Sequence, residues 1–357
     1  LEVTELTLEA PRAGEVAVRL AASGVCGSDL HVLHGQLPGP RPIVLGHEGA
    51  GVVTAVGPGV SSVGVGDHVV VTAMPQCGAC GNCRRGRPYL CEVGDPVLLS
   101  GALRDGTSRF ATADGTTVAQ MVASGTFAEA AVVSDISVVR IPPDVPLGPA
   151  SLLGCGVLTG FGAAVNAAGI GPGSTVCVLG CGTVGLAAVQ GARLAGATRI
   201  IAVDLVPAKL EIALKVGATA VVAGAGPEGD VVAGVRRLTG GRGVDVAIEC
   251  AGAQATVDQA IAMTGKGGEV VFVGAGDRDT RVDVAQFRGL VGPAKTLKGV
   301  LFGAADIQRD VTRIVDACRA GTFDLDVLVT HRFALDDIND ALALVGHPDA
   351  VSVVIDL

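Results

Sequence analysis

Two residues in the first part of the chain have side chains that bind transition metals. Cys26 and His47 lie 21 positions apart, and zinc is held in proteins by thiolate sulfur and neutral imidazole nitrogen. A catalytic zinc takes three protein ligands and keeps one position open, so this pair could supply two of them. Taken alone, such a pair is more often explained by core packing, and the rest of the chain has to decide.

Polar side chains close to this pair have the chemistry to move a proton and to orient a metal ligand. Ser28 and His31 offer a hydroxyl and a second imidazole, and Asp29 and Glu48 offer carboxylates. General acid–base chemistry uses such hydroxyl and imidazole groups. A carboxylate commonly fixes the ring orientation of a ligating histidine.

A second group of possible metal ligands occupies one short segment. Four cysteines follow the pattern C-x2-C-x2-C-x7-C within 15 residues: Cys77, Cys80, Cys83 and Cys91. Four thiolates complete a tetrahedral zinc site and leave no position for substrate, which is typical of a structural site. Nearby Arg84, Arg85 and Arg87 would ease its negative charge. The alternatives are free or disulfide-bonded cysteines and an iron–sulfur cluster, which usually has other spacings.

A glycine-rich turn in the middle of the chain predicts dinucleotide binding. Gly180, Gly182 and Gly185 form the pattern G-x-G-x-x-G between an apolar strand at 175–179 and a helix at 186–195. The glycines permit a tight turn and close approach of a pyrophosphate, which then meets the helix N-terminus. We expect Thr183 and Val184, inside the pattern, to belong to the same site.

The next predicted strand carries an acidic residue that bears on the choice of cofactor. It ends at Asp204, 19 residues after Gly185, where a carboxylate binds the adenosine ribose hydroxyls and repels a 2′-phosphate. The residues directly after it include no arginine, and Lys209 lies one turn further on. The pattern therefore favours NAD over NADP.

Composition narrows the class of protein. The 357 residues carry a net charge of -9 and only 8 Phe, 1 Tyr and no Trp, which argues against nucleic-acid binding. The uncharged run at 145–192 is broken by prolines and glycines, so it is read as buried core rather than a membrane span. With no secretory or lipidation signal in view, we expect a cytoplasmic protein. The chain opens at Leu1 within a strand-like pattern, so we expect its true N-terminus to lie upstream.

The rhythm of the elements indicates an α/β protein with two domains. Alternating Val and Ile with Gly at 43–72 predict a β-rich region, and 94–126 is polar enough to predict a long surface loop. Strands at 244–249 and 269–274 continue the doubly wound pattern. The last part predicts helix 307–320, strand 328–333, helix 335–345 and strand 351–355.

Taken together, these motifs resemble the zinc-dependent medium-chain alcohol dehydrogenase family over essentially the whole chain. Gly46-His47-Glu48-x-x-Gly51-x5-Gly57-x-x-Val60 fits the zinc signature of that family without a gap. The loop with Asp105-Gly106-Thr107-Ser108-Arg109-Phe110 looks like the branch of classical and glutathione-dependent formaldehyde dehydrogenases.

The resemblance implies a fold and a set of metal ligands. It implies a GroES-like β-barrel catalytic domain at 1–156 and 300–357, with its lobe at 77–91, and a Rossmann NAD-binding domain at 157–299. Cys26, His47 and Cys155 would hold a catalytic zinc, and the four lobe cysteines a structural one. Asp29 would be the partner of His47, with Glu48 close behind the metal. Thr159 and Val273 are added to the predicted NAD site. The first strand of the family fold would precede Leu1.

The implied reaction is a reversible hydride transfer between an alcohol and NAD. Ser28 would accept the hydroxyl proton and pass it, through the nicotinamide ribose, to His31 near the surface. By register the substrate pocket would be lined by Leu37, Ala73, Met121 and Val122. Because several relatives carry an aromatic ring where Ala73 stands, we expect a bulky, apolar primary alcohol or aldehyde.

Departures from the family pattern qualify these expectations. Gly27 stands where many relatives have a basic residue that binds the cofactor pyrophosphate. A second phosphate-binding arginine of those relatives is also missing here, and its place is taken by a residue at about Val351. Asp95 and the uncharged segment 35–40 replace the groups that glutathione-dependent enzymes use. This argues against a glutathione-bound substrate, although a glutathione- or other thiol-dependent formaldehyde dehydrogenase stays an alternative.

Other functions remain open. An enzyme of the same fold could keep NAD bound and reoxidise it with a second substrate, as a nicotinoprotein. A zinc-ribbon binding module and a catalytically silent relative are weaker alternatives. The resemblance implies a homodimer, with a tetramer as the alternative, and a small alcohol or aldehyde as the only other partner, without nucleic acid or membrane.

Overall fold

The computed structural model describes residues 1–224, 230–276 and 279–357. These residues divide into two compact units. The first comprises Leu1–Cys155, Asp306–Gly321 and Leu325–Leu357, and the second comprises Gly156–Ala305 and Thr322–Asp324. Both predicted kinds of sheet are present, so the α/β fold class is confirmed.

The first unit is built mainly from antiparallel strands. Up to Cys155 its described elements are β1 Thr7–Leu8, β2 Glu15–Val25, α1 Gly27–Leu33, β3 Ile43–Val44, β4 Glu48–Val56, β5 His68–Val71, α2 Gly81–Arg84, β6 Phe110–Ala111, β7 Thr117–Gln120, β8 Ala130–Ser134, β9 Val138–Ile141 and α3 Leu147–Ser151. Strand β2 alternates in the way that a one-sided strand must. Its Val16, Val18 and Leu20 are buried, while Arg19 between them is exposed.

The second unit contains the parallel sheet that the glycine-rich turn predicts. Its described elements are α4 Gly156–Gly162, β10 Thr175–Leu179, α5 Thr183–Leu194, β11 Arg199–Asp204, α6 Pro207–Val216, β12 Ala220–Ala223, α7 Val231–Leu238, β13 Val244–Glu249, α8 Gln254–Met263, β14 Thr264–Phe272 and β15 Thr296–Gly299. The order among the described strands is β12-β11-β10-β13-β14-β15, with parallel pairing throughout. The order reverses next to β10, where a doubly wound sheet binds its ligand.

The end of the chain returns to the first unit. It adds α9 Ile307–Arg319, β16 Val329–Ala334, α10 Ile338–Ala343 and β17 Ser352–Asp356. β17 pairs with β2, so the larger sheet of this unit runs β16-β17-β2-β4-β5-β9, with β8 also on β2. A smaller sheet runs β1-β6-β7-β3.

Two sequence predictions about local structure need correction. The segment 94–126 is not simply a surface loop, because it contains β6 and β7 and buries Val97, Leu103 and Phe110. The helix after the glycine-rich turn begins at Thr183, three residues earlier than predicted, because residues of the turn itself form its first turn.

The helices were compared with the length and apolar composition that a membrane span requires. Within the described parts of the chain, no single helix is long and apolar enough to cross a membrane. A bent pair of helices, Leu147–Gly154 with Gly156–Ala167, meets the criterion by length and composition alone.

Candidate active site

Four potential ligand atoms converge inside the first unit. One sulfur, nitrogen or oxygen atom from each of Cys26, His47, Glu48 and Cys155 lies within 4.8 Å of the other three. Cys26 directly precedes α1, His47 directly precedes β4, and Cys155 follows a short 3-10 turn, Leu152–Gly154. The structure thus brings together the residues predicted for the catalytic metal, and we call this group the buried cluster.

Strand pairing and two glycines explain why these distant residues meet. β2 and β4 are antiparallel with Gly24 opposite Glu48, so Cys26, directly after β2, lies beside the start of β4. A Cβ on Gly24 would lie 2.1 Å from Glu48 Oε2. A Cβ on Gly154 would lie 2.7 Å from the Glu48 Cα, so only glycine allows the backbone before Cys155 to come this close.

Asp29 fixes the orientation of two neighbouring residues of the buried cluster, Cys26 and His47. Its side chain is fully buried, and Oδ1 lies 3.1 Å from His47 Nδ1 while accepting a hydrogen bond from the Gly46 N–H. Its other oxygen accepts a hydrogen bond from the Cys26 N–H at 2.9 Å. A carboxylate on Nδ1 leaves Nε2 as the nitrogen that can bind a metal.

The unused nitrogen of His47 shows that the site fits a metal ion. Nε2 is buried and has no hydrogen-bond partner among the residues that the structure describes. A buried polar atom without a partner is costly. Two sulfurs and this nitrogen form the donor set that zinc prefers in open sites.

The electrostatics of the buried cluster favour a cation. A hydrogen bond from the Cys155 thiol lowers the pKa of Cys26 well below its ordinary value, and for the same reason the pKa of Cys155 is raised. Burial lowers the pKa of His47, but the Asp29 carboxylate outweighs burial and the pKa is raised. A thiolate and carboxylates thus surround His47, and that negative potential suits a divalent ion.

The predicted proton relay lies along one helix. Ser28 and His31 are both half-buried on α1, three residues apart and therefore on one face. Ser28 Oγ lies 3.8 Å from Cys26 Sγ, and His31 Nδ1 hydrogen-bonds with Gln36 Oε1 on the exposed side. This arrangement leads from the buried cluster towards the surface.

The four lobe cysteines form a second donor group. One sulfur atom from each of Cys77, Cys80, Cys83 and Cys91 lies within 4.8 Å of the others. Backbone N–H groups donate to their sulfurs: that of Cys77 to Cys91 at 3.3 Å and that of Cys80 to Cys77 at 3.3 Å. The N–H of Cys83 lowers the pKa of Cys80 to about 6 against an opposing effect of burial. Four sulfurs with oriented N–H groups fit a closed zinc site.

Most predicted cofactor residues lie at the carboxyl edge of the parallel sheet. Gly180 has a φ of +88°, and a Cβ on Gly185 would lie 1.7 Å from the Gly180 carbonyl oxygen, so both glycines are required. Gly182 precedes α5, which begins with Thr183 and Val184, and Val273 directly follows β14.

The remaining cofactor residues lie around this turn. The Asp204 carboxylate ends β11 and accepts hydrogen bonds from the N–H of Cys181 at 2.6 Å and Val206 at 2.9 Å. Lys209 lies in the first turn of α6. Thr159 is on α4. A Cβ on the next residue, Gly160, would lie 1.9 Å from the Val184 carbonyl oxygen, so this part of α4 packs closely against the first turn of α5. The structure therefore gathers the predicted set on one side of the second unit.

The predicted pocket residues do not all share one environment. Ala73 is buried, and its N–H donates to the Gly154 carbonyl oxygen, one residue before Cys155. Met121 is buried in an apolar cluster that also contains Val32 of α1, and Val122 packs against it. Leu37 is 37% exposed, so its place is at the surface.

Sequence reasoning missed a buried ion-pair network in the first unit. The Arg109 side chain is fully buried and binds the carboxylates of Glu15 and Asp105, and we call these three residues the Arg109 clamp. The available signal was the polar motif 105–110, which sequence reasoning used only to place the chain in a branch.

Comparisons with known proteins agree with this architecture. Residues 12–143 match the family described as alcohol dehydrogenase GroES-like domain, and residues 183–317 match zinc-binding dehydrogenase. An NDMA-dependent alcohol dehydrogenase from Amycolatopsis methanolica is 43% identical over 342 residues, covering 95% of this chain and 91% of the relative. A class-3 alcohol dehydrogenase from Cereibacter sphaeroides is 37% identical over 362 residues, covering 99% and 96%.

A solved structure shows the same fold. The crystal structure of benzyl alcohol dehydrogenase from Acinetobacter calcoaceticus superimposes with a TM-score of 0.92 at 34% identity. The match covers 100% of this chain and 95% of that chain.

Proposed function

Because the chain belongs to the zinc-dependent medium-chain alcohol dehydrogenase family, we propose that it transfers a hydride reversibly between a primary alcohol and NAD. The observation that carries the proposal is the buried cluster, in which His47 Nε2 lies unpartnered, among the described residues, beside the sulfurs of Cys26 and Cys155. An enzyme of the family needs such an open donor set to act on a hydroxyl group.

The proposed metal ligands are Cys26, His47 and Cys155. A zinc ion bound there supplies Lewis acidity, which makes the hydroxyl of an alcohol a better proton donor. Asp29 holds the His47 ring through Nδ1, and Glu48 adds a buried carboxylate behind the ligands. The chain itself thus contributes orientation and a negative potential that retains the cation.

Ser28 and His31 would carry the proton away. Ser28 Oγ lies near the Cys26 sulfur and would accept the proton of the alcohol hydroxyl. His31, one turn along α1 and closer to solvent, would release it. The glycine-rich turn before α5 would hold NAD, the partner molecule, which supplies a hydride acceptor for the carbon of the alcohol.

The second unit supports NAD as that partner. The glycine-rich turn before α5 allows a pyrophosphate to approach backbone N–H groups at a helix N-terminus. Asp204 places a carboxylate where an adenosine ribose is held in such folds, and this charge repels a 2′-phosphate. Steady-state turnover with NAD and NADP tests this choice, and a preference for NADP would contradict it.

The pocket residues support a bulky, apolar primary alcohol, aromatic or branched. Ala73 has a small side chain beside the ligand Cys155, while Met121 and Val122 contribute apolar surface near α1. The structural relative is named for benzyl alcohol. The test is NADH formation from NAD+ with a panel from ethanol to benzyl and branched alcohols. Slow turnover of benzyl-type alcohols beside fast turnover of ethanol would contradict this substrate class.

Two alternatives belong in the same experiment. The identity of 43% with an NDMA-dependent alcohol dehydrogenase favours a second candidate, in which NAD stays bound and an external acceptor reoxidises it. Cofactor that survives desalting, with turnover only when NDMA is added, would establish that candidate. S-(hydroxymethyl)glutathione is included in the panel because relatives with 36% and 37% identity are named for it.

We also propose that the enzyme is a homodimer joined at the free edge of the parallel sheet. β15 is the last strand in the described order, and Phe287 and Leu301 nearby in sequence are 67% and 49% exposed. An open strand edge with apolar neighbours is a surface that a second copy can cover. Light scattering of the purified protein distinguishes a dimer from a tetramer or a monomer.

A further inference from the structure

The turn that carries two of the proposed pocket residues has a strained backbone. Val122 and Ala123 both have a φ of +53°, a left-handed conformation that is costly for residues with a side chain and most of all for a β-branched one. Ala123 is nevertheless 1% exposed. A strained turn persists only where surrounding contacts hold it.

The side chain of Gln120 supplies those contacts. It is fully buried, and its Oε1 accepts hydrogen bonds from the Arg109 N–H at 3.1 Å and the Ser108 hydroxyl at 3.2 Å. Its Nε2 donates to the carbonyl oxygens of Ser124 at 3.1 Å and Val132 at 2.9 Å. All four hydrogen-bonding positions of the amide are used. One side chain thus ties both ends of the turn to β8 and to the segment before β6.

The Arg109 clamp anchors this arrangement. Arg109 Nε donates to Glu15 Oε2 at 2.8 Å, and Nη2 donates to Asp105 Oδ2 at 2.7 Å. Glu15 begins β2, the strand that leads to Cys26. A fully buried, paired guanidinium resists displacement, because moving it would leave buried charges unpaired. The backbone to which Gln120 is bound is therefore held firmly.

On its other side the turn leads to the buried cluster. The Thr126 N–H donates to the Gly46 carbonyl oxygen at 3.0 Å, and the Phe127 N–H donates to the Leu45 carbonyl oxygen at 2.9 Å. Gly46 directly precedes His47. A Cβ on Gly46 would lie 2.6 Å from Thr126 Oγ1, so the two backbones are in close contact.

We propose that Gln120 is a positioning residue that sets the width of the alcohol pocket, by holding the strained turn Met121–Ala123 against α1 and the His47 segment. The inference rests on the proposed function, since Met121 and Val122 face a substrate only if an alcohol reacts at the buried cluster. Without the amide, the turn can relax to a negative φ and shift the side chain of Val122. The width of the pocket, and thus the discrimination between large and small alcohols, then changes.

The test compares Gln120→Met with Gln190→Met. Gln190 is a matched control, because it is equally buried and its amide also bridges backbone groups, the N–H and carbonyl of Asp324 in the other unit. In Gln120→Met we expect kcat/KM for benzyl alcohol relative to ethanol to change by about tenfold, mainly through KM. In Gln190→Met we expect that ratio to stay constant, although Tm should fall by about as much as it does in Gln120→Met.

A second measurement tests the holding role without turnover. The Ser124 and Gly125 N–H groups both donate to the Met121 carbonyl oxygen, and their hydrogen exchange should be about tenfold faster in Gln120→Met alone. If Gln120→Met does not fold, Gln120→Asn keeps an amide but shortens its reach by one methylene, so it cannot make all four hydrogen bonds and should change the same ratio.

Three results would overturn the proposal. They are equal losses for both alcohols, the same ratio change in Gln190→Met, and unchanged exchange of the two N–H groups. Wild-type protein that oxidises no alcohol, with or without NDMA, overturns instead the proposed function and with it the pocket role of Gln120. The exchange measurement then decides alone whether Gln120 holds the turn.

Discussion

The two groups of metal-binding side chains in the first unit are built in opposite ways. The lobe takes its four sulfurs from one stretch, Cys77 to Cys91, and three of the four residues are partly exposed. The buried cluster takes Cys26, His47 and Cys155 from three places in the chain. Local spacing alone is enough to gather the first group, whereas the second exists only when the strands of the whole unit have paired.

The supporting groups differ in the same way. In the lobe, N–H groups of the segment itself donate to the sulfurs. In the buried cluster, Asp29 orients His47 from 18 positions away in sequence. The lobe has a full set of four sulfurs and its loss should affect stability, whereas the buried cluster has an open donor set and its loss should affect chemistry.

The largest expected effect is on turnover when the buried cluster loses a ligand. Cys155→Ala should lower kcat by at least about a thousandfold, since the Lewis acid contributes several kcal/mol to the reaction. Metal analysis should show zinc falling from two ions to one per chain. Circular dichroism controls for folding, and a variant that keeps its turnover would remove Cys155 from the site.

The next effect is on stability, when the lobe loses a ligand. Cys83→Ala should lower the free energy of unfolding by about 3 kcal/mol or more, because metal binding in such a segment is coupled to its folding. Urea titration measures this loss. The molecules that stay folded should keep kcat within about twofold. A collapse of kcat at unchanged stability would reverse the roles assigned to the two groups.

Removing the orienting charge should have an intermediate effect on the buried cluster. Asp29→Asn keeps the shape of the side chain but weakens its hold on His47 Nδ1, and such changes cost about 10- to 100-fold in metal affinity or activity. Competition with a chelator gives the affinity of each zinc. We expect only the ion of the buried cluster to be released more readily, so equal weakening of both would contradict the comparison.

The smallest effect is on the pH dependence of stability and comes from the Arg109 clamp. The clamp joins Glu15 to Asp105 and Arg109, about 90 positions away in the sequence of the first unit. Burial raises the pKa of the Asp105 carboxyl, but hydrogen bonds from Thr107 and Arg109 outweigh burial and hold that pKa well below its ordinary value. A depressed pKa contributes stability above about pH 4 that is lost as the pH falls below it. Asp105 is 38% exposed, so Asp105→Asn should cost under about 1 kcal/mol at pH 6. Urea unfolding should show that difference shrinking by pH 3, and a difference that grew would contradict the prediction.

The success of the predictions from sequence also depended on whether the signal was local or came from distant parts of the chain. The lobe could be identified from spacing, and β10 was predicted at its observed bounds, because both signals lie within a few residues. The proposed third ligand, Cys155, was predicted only from the family resemblance, since nothing local connects it to Cys26. The buried Arg109 was missed because its burial depends on Glu15, 94 positions away, and no local pattern shows that pairing.

The closed path of the lobe has a consequence for the history of the family. The N–H of Cys77 donates to the sulfur of Cys91 at 3.3 Å, so the two ends of the segment lie close together. A single in-frame deletion could therefore remove the lobe and rejoin the chain without a gap, and a single insertion could add it. No one event could do this for Cys26, His47 and Cys155, which must be inherited together with the strands that assemble them.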